Sequence, residues 1–172
     1  MALTINKVAD ANVYVNNTST HGQASQVVCP QVEAIMNEYN SLGMIGTVEL
    51  PAGFSAMEAT ITWTYPSNEV QAAFSDPFTA VNLMVRSNKS VWNNGGLERD
   101  EPVSIIMRGL PKQHSSGTFA GKDAVEVESA LAVNYYKLEV DGTEILEIDV
   151  INNIFKVDGV DRLAQRRRNL GI

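Results

Sequence analysis

The residue types best suited to metal ligation or nucleophilic attack are scarce in this 172-residue chain: two histidines, His21 and His114, and one cysteine, Cys29. A metal centre needs His, Cys or carboxylate companions at set spacings, as in an HExxH helical turn, and neither histidine has them. Both fall in polar segments expected to be solvated loops. Cys29 has no partner for an internal disulfide or a thiolate cluster, so it is expected to be a small core residue or an exposed spectator. No GxxxxGK[ST], GxGxxG or GxSxG string occurs, so no phosphate cradle or nucleophile elbow is signalled. The carboxylates are many but dispersed. Glu139, Asp141, Glu144, Glu147 and Asp149 read as solvated faces and hairpin edges, and spacing alone pairs no two of them for glycosidase-like acid–base work. The sequence therefore assigns no catalytic residue, cofactor or metal ligand, and the chain is expected not to be an enzyme.

Two sets of residues suggest contact rather than catalysis. Arg162, Arg166, Arg167 and Arg168 cluster near the C-terminus. Three consecutive arginines fall short of a polybasic patch for nucleic acid or membrane. At a helix end they complement the macrodipole, or they pair with acids on a neighbouring subunit, and the interface role is favoured. The second set is Glu58, Thr60 and Thr62 with Glu126 and Glu128. These residues mark polar faces on two strands whose opposite faces are apolar. Such a face is the outer side of a sandwich, or, if subunits close into a ring, the wall of a water-filled lumen that repels passing phosphates.

Net charge is −7, and without the four C-terminal arginines the remainder carries −11. That balance argues against tight phosphate binding, whose affinity comes from neutralising phosphates. The length suits a single domain spanning 1–172 with a real core, and 44% hydrophobic content is ordinary for one. No apolar run approaches the roughly 18 residues needed to span a bilayer. Residues 1–10 lack the basic start and apolar stretch of a secretory signal, so folding in a cytoplasm is expected.

Period-two alternation positions these residues. Ala56 to Thr64 places Met57, Ala59, Ile61 and Trp63 on one face and Glu58, Thr60, Thr62 and Thr64 on the other. Val103 to Leu110 is a strand. Asp123 to Val140 is a long extended segment with Val125, Val127, Leu131, Val133 and Tyr135 alternating with Ala124, Glu126, Glu128, Ala130, Ala132 and Asn134. Asp141-Gly142 forms a hairpin turn, and the chain returns through Glu144 to Asp149. Pro66-Ser67-Asn68 caps a short helix from Glu69 to Phe74, with Val70, Ala73 and Phe74 inward. Asp161 caps a last helix through Arg168, and Gly171 stops it. Val27 to Pro51 is ambiguous by pattern: Val32 to Tyr39 suits a short helix, and two strands joined around Asn40 to Gly43 are the preferred reading, which the resemblance given below favours; Phe78 to Val85 is extended. Ser87 to Asp100 and Pro111 to Lys122 read as surface loops. Residues 1–26 read as a possible extended N-terminal arm that orders on neighbours, with Val13-Tyr14-Val15 as a strand before Asn16-Asn17. The fold class expected is mainly β: an antiparallel sandwich or partly open barrel with a short internal helix and a short C-terminal helix.

A series of strings adds a resemblance. In order these are Glu38-Tyr39, Leu42-Gly43-Met44, Met57-Glu58-Ala59, Arg108-Gly109-Leu110, Asn134-Tyr135-Tyr136-Lys137-Leu138, Asp141-Gly142, Glu147-Ile148-Asp149, VDGVDRLA (157–164) and RRNLGI (167–172). Their order and spacing resemble the tail tube proteins of contractile-tailed phages and R-type pyocins, most densely from Asn134 onward; residues 1–26 and 88–100 are less similar. The resemblance implies hexameric rings stacked head to tail into a hollow tube whose inner surface is a β-barrel shared among subunits. It implies as partners further copies of the chain, the tail sheath protein, the tape measure protein, and baseplate and tail terminator proteins, with DNA only transiently in the lumen. The implied location is the virion tail, assembled in the host bacterial cytoplasm. The related type VI secretion tube uses a similar fold.

Three function classes follow: a structural tube subunit of a phage tail or of a DNA-free R-type bacteriocin, a standalone β-sandwich binding module, and an enzyme such as a glycosidase. Aromatic residues are only 7%, and Trp63 and Trp92 lie in different contexts, which gives the binding module little to work with. Open sheet edges, which closure into a shared barrel removes, favour the tube.

Overall fold

The computed structural model describes residues 3–118 and 125–172. In chain order the elements are β1 (Ile5–Val15), β2 (Thr18–Ser19), β3 (Ala24–Val28), β4 (Ala34–Tyr39), β5 (Val48–Phe54), β6 (Met57–Trp63), α1 (Asn68–Ser75), β7 (Val81–Asn93), β8 (Gly96–His114), β9 (Val127–Val140), β10 (Thr143–Asp149), β11 (Ile154–Val157), β12 (Val160–Asp161) and α2 (Ala164–Leu170). Ten strands form one antiparallel sheet in the order β12-β11-β10-β9-β8-β7-β1-β2, with β6 and then β3 branching from β9. The sheet is open, not a closed barrel. β4 and β5 form a separate two-stranded hairpin.

β9 holds the sheet together because one of its edges serves two partners. Val127 to Val133 pair with β6, and Tyr135 to Val140 pair with β10, while β8 runs along the opposite edge throughout. The division falls at Asn134. Opposite it on β8 the register steps from Arg108–Tyr135 to Gly109–Val133, which leaves Asn134 as the extra residue of a bulge. One added residue exchanges the two faces of a strand. Val127, Leu131 and Val133 point into the core before the bulge, and Tyr136 and Leu138 do so after it. From Val127 the expected alternation of faces holds as far as Val133, although Ala130 of the outer set is also buried, but Tyr135 lies on the outer face and Tyr136 takes the inner position.

The bulge brings the two backbones unusually close. A Cβ on Gly109 would lie 2.0 Å from the Ala132 carbonyl oxygen, so only glycine fits there. Around this point the core gathers Met57, Ala59, Ile61 and Trp63 of β6, Val13 and Val15 of β1, Val81, Leu83 and Val85 of β7, Met107 of β8, and Ile148 of β10. α1 closes it. Ser67 caps the helix by accepting the Val70 N–H at 3.5 Å, and Val70 and Phe74 are buried, Phe74 edge-on to Trp63 with ring centroids 6.0 Å apart. The Trp63 indole N–H donates to the Ser129 hydroxyl at 3.1 Å, which satisfies a polar group deep in the core.

Several loop expectations give way to strands. Ser87 to Asp100 is not a loop: β7 and β8 continue outward as a hairpin that turns at residues 94–95. The segment is polar because much of this ribbon projects beyond the core, so alternation has little apolar surface to report. A cross-strand ion pair, an ion pair along β8 and side-chain hydrogen bonds hold it instead. Glu101 accepts from Lys89 and Arg99, each at 2.7 Å, and Asp100 accepts from Ser90 at 2.5 Å and Asn88 at 2.8 Å. β8 likewise continues to His114 through part of the expected Pro111–Lys122 loop. Within residues 1–26, Ile5 to Val15 lies along β7 and Ala24 to Val28 along β6, so these segments pair within their own chain rather than awaiting a neighbour. Residues 1–2 and 119–124, which carry parts of the expected arm, loop and long extended segment, lie outside the described residues.

The turn and cap readings match local geometry. Asp141 and Gly142 both take positive φ, 50° and 72°, as a tight hairpin turn requires. Gly171 ends α2 at φ 74°, with its N–H on the Arg168 carbonyl and that of Ile172 on the Arg167 carbonyl. Asp161, however, does not cap α2. The helix begins at Ala164, and the Asp161 carboxylate accepts the Leu163 N–H at 2.9 Å ahead of it.

Gly109→Ala is expected to lower stability by about 1–3 kcal/mol, the range for forced overpacking. Gly46→Ala, where a Cβ meets nothing within 4 Å, should change stability little. Urea midpoints of the two variants test this; equal midpoints would remove the close approach at the bulge as a constraint.

Candidate functional site

The polar residues singled out on β6 share one face with Glu128. Thr62 stands directly opposite Glu128, Thr60 opposite Ala130 and Glu58 opposite Ala132. β3 extends the same face, with Gln26 opposite Thr62 and Val28 opposite Thr60. Behind this surface every partner of the opposite parity, from Met57 to Trp63 and from Val127 to Val133, is buried. Glu126 is exposed but precedes β9, so it lies outside the paired ladder. The face is not purely acidic: Lys112 at the end of β8 forms an ion pair with Glu58. Nothing in the spacing of 58 and 112 signals that pair, because a long-range register creates it.

Past the bulge the same face becomes a charged ladder. Arg108 stacks over the Tyr135 ring at 5.4 Å, and Tyr135 donates to Glu147 at 2.9 Å. Glu147 also takes Lys156 at 2.5 Å, and Lys137 bridges Glu139 at 2.7 Å and Glu144 at 3.3 Å. Arg86 lies 5.9 Å over the Tyr14 ring on the neighbouring strands. The pairing sets the protonation states. Burial, then the Glu147 hydrogen bond, pushes the Tyr135 hydroxyl up to about 12. The ammonium of Lys156, then the Tyr135 hydroxyl, holds Glu147 below the usual carboxylate range. Burial opposes ionisation of Asp149, but the Asn152 side chain and backbone outweigh it and its pKa is lowered. Such groups are structural acids and bases, committed to their partners.

At the C-terminus the four arginines divide. Arg167 turns inward, donating to Asp161 at 2.6 Å and to the Asn153 carbonyl at 2.8 Å, and it depresses the Asp161 pKa. Arg168 donates to Gln165 at 2.8 Å within the helix. Arg162 and Arg166 are exposed. Arg166 stands at a groove of about 810 Å³ between α2, the base of the β4–β5 hairpin and the β10–β11 turn, lined by Phe54, Val150, Phe155, Leu163 and Leu170. The hairpin itself stands off the sheet, anchored at its base by Phe54 against Phe155 with centroids 4.8 Å apart. Residues 31–50 are all exposed, and Ile35, Met36, Tyr39, Leu42, Ile45, Val48 and Leu50 are among them.

Among the described residues no group of three His, Cys, Asp or Glu side chains is placed to hold a metal ion. His21 is exposed. His114 is not a solvated loop residue: it ends β8 and its Nδ1 lies 2.9 Å from the Ser129 hydroxyl, and burial lowers its pKa. Cys29 is partly buried, and burial raises its thiol pKa.

An open antiparallel sheet with one sealed face, one wet face and an unsupported apolar hairpin is the build of a subunit made for assembly. The chain matches the family model for phage tail tube protein FII over residues 5–171. It is 32% identical over 171 residues to the tail tube protein of Escherichia phage P2, with 94% of each chain covered. It is 27% identical over 156 residues to the major tail tube protein of Serratia phage KSP20, covering 90% of this chain and 88% of that one. A chain in the cryo-EM structure of an extracellular contractile injection system, the PVC sheath–tube complex in its extended state, shares the fold with a TM-score of 0.55. The identity there is 14%, over 75% of this chain and 87% of that one. The chain belongs to the phage tail tube protein family, and its part in a phage tail is structural.

The depressed carboxylates give a pH dependence with a definite sign. Glu147 and Asp161 have folded pKa values below their ordinary values of 4.5 and 3.8. Their contribution to stability is therefore complete above those values and is lost as pH falls through the folded ones. The urea midpoint should hold between neutral pH and about pH 5 and drop below about pH 4. Lys156→Gln combined with Arg167→Gln should shrink that drop; an unchanged acid dependence would take the ladder out of the account.

Proposed function

We propose that this protein forms the inner tube of a contractile phage tail as hexameric rings stacked head to tail, with the chain acting as one domain over 1–172. The wet face carrying Glu58, Thr60, Thr62 and Glu128, with Glu126 beside it, lines the lumen of a barrel shared by the six copies. Residues of the tail, chiefly the exposed Arg162 and Arg166, with Arg167 and Arg168, contact neighbouring subunits. The observation that carries this reading is the sheet's division into a sealed apolar side and a largely polar side, on strands whose outermost edges are unpaired among the described residues. A lone molecule with such edges invites aggregation, and ring closure removes them. A contact surface that differs from its receptor surface repeats along an axis and builds a filament.

The PVC chain that shares the fold sits in a sheath–tube complex, which supports a tail sheath protein as the outer partner here. The tape measure, baseplate and tail terminator proteins complete the assembly in the virion tail, which is built in the host cytoplasm. DNA passes through the lumen without being held, since the chain's net charge of −7 offers little to bind phosphate. The protein performs no catalysis and uses no cofactor. The two relatives described are both phage proteins, which favours DNA delivery over the ion leak of a bacteriocin.

Purified protein at high concentration, alone or with its sheath protein, should give rings or tubes in negative stain; particles that stay monomeric would defeat the proposal. Glu58→Lys with Glu128→Lys should leave the monomer folded, by circular dichroism and urea midpoint, and the tubes intact, while DNA release from particles slows. Unfolding of that variant would remove this face from the lumen wall.

A further inference from the structure

The β4–β5 hairpin carries two features that its own chain leaves unresolved. Glu38 and Glu49 are direct cross-strand partners near its tip, and among the described residues neither forms an ion pair. Like charges placed opposite each other destabilise a strand pair unless a cation joins them. Residues 31–55 contain Glu33, Glu38 and Glu49 and no lysine or arginine. Beyond the acids, the tip presents Leu42 and Ile45, both fully exposed. A two-stranded hairpin is marginal on its own, and an apolar tip in water adds to the cost.

The groove beside α2 is basic at its mouth. Its walls are mostly apolar, with Phe155, Leu163 and Leu170, interrupted by Asn134, Asn153 and an Asp149 already bonded to Asn152, and Arg166 lines it. The segment 162–172 contributes four arginines and no acid. Arg167 is occupied by Asp161, whereas Arg166 forms no ion pair among the described residues. The tip cannot turn back into the groove of its own chain. The hairpin base, Pro51 to Phe54, forms one wall of that groove, and six registered pairs run from Ala34–Phe54 at the base to Tyr39–Val48, beyond which the turn residues 40–47 extend. At the rise of a strand this sets the tip about 20 Å away.

We propose that the hairpin tip of one copy docks in the α2 groove of the next, with Leu42 and Ile45 in the apolar trough and the Glu38–Glu49 pair joined by Arg166. The occupant is a second copy of this chain, and the inference rests on the self-assembling tube reading, for which it names a plug and a socket. Plug and socket are different surfaces, so the contact is heterologous and propagates from copy to copy.

Cysteine cross-linking in a Cys29→Ser chain tests it. Leu42→Cys chains and Leu170→Cys chains, mixed, assembled and oxidised, should give a linked dimer that neither chain gives by itself. Separately, Arg166→Glu should reduce assembly several-fold by light scattering, and adding Glu38→Lys with Glu49→Lys to that chain should restore it. Tubes that form without the mixed dimer, and that tolerate Arg166→Glu unchanged, would overturn the docking while leaving the tube standing. A wild-type chain that builds no ring or tube, with or without its sheath protein, would overturn the proposed function and the docking with it.

Discussion

The structure depends on β9 serving two neighbours along one edge. A strand can do this only if it changes partner partway, and the bulge at Asn134 is where it does. The extra residue exchanges the strand's two faces, which lets Val127 to Val133 and Tyr136 to Leu138 serve the same core despite opposite parity. The bend also forces β8 against β9, and Gly109 is what that approach permits. Without the bulge, one of the two branches would present its apolar side to water.

From that fork follows a clean separation of environments. One side of the sheet is sealed by α1 and by the inward residues of seven strands, β1, β3 and β6 to β10, with Phe155 of β11 packed against them. The other is largely polar, first with threonine and glutamate on β6 and β9 among Val28, Ala130 and Ala132, then with a ladder in which Tyr135 and Lys156 meet Glu147, Lys137 meets Glu139 and Glu144, and Arg167 meets Asp161. Charges satisfied within a subunit add little to recognition between subunits. Among the described residues, the acids of the hairpin and Arg162 and Arg166 of the tail are among the groups that no internal ion pair engages.

The division also explains why a tube subunit can be so plain chemically. Assembly needs shape, exposed backbone edges and a few unsatisfied groups of opposite sign on separate surfaces. It needs no activated nucleophile or tuned acid. Tyr135 is shifted upward by burial and by its bond to Glu147, and Glu147 and Asp161 are shifted downward by partners that fix them in place, the reverse of groups poised to exchange a proton.

The chain's own alternation and turn residues determined much of the local structure. β6, α1 with its Ser67 cap, the Asp141-Gly142 turn and the Gly171 stop all arise from interactions within a few residues, so period, cap and turn chemistry reveal them. That Glu58, Thr60 and Thr62 share a face was legible for the same reason; that Glu128 joins them on that face and Lys112 pairs with Glu58 was not. The ribbon from Ser87 to Asp100 read as a loop because a strand with little core beneath it has no apolar period. The exchange at Tyr135 and Tyr136 was hidden because a bulge is fixed by the strand across the way. Register, bulge and groove come from contacts between segments far apart in the chain, and only tertiary packing decides those.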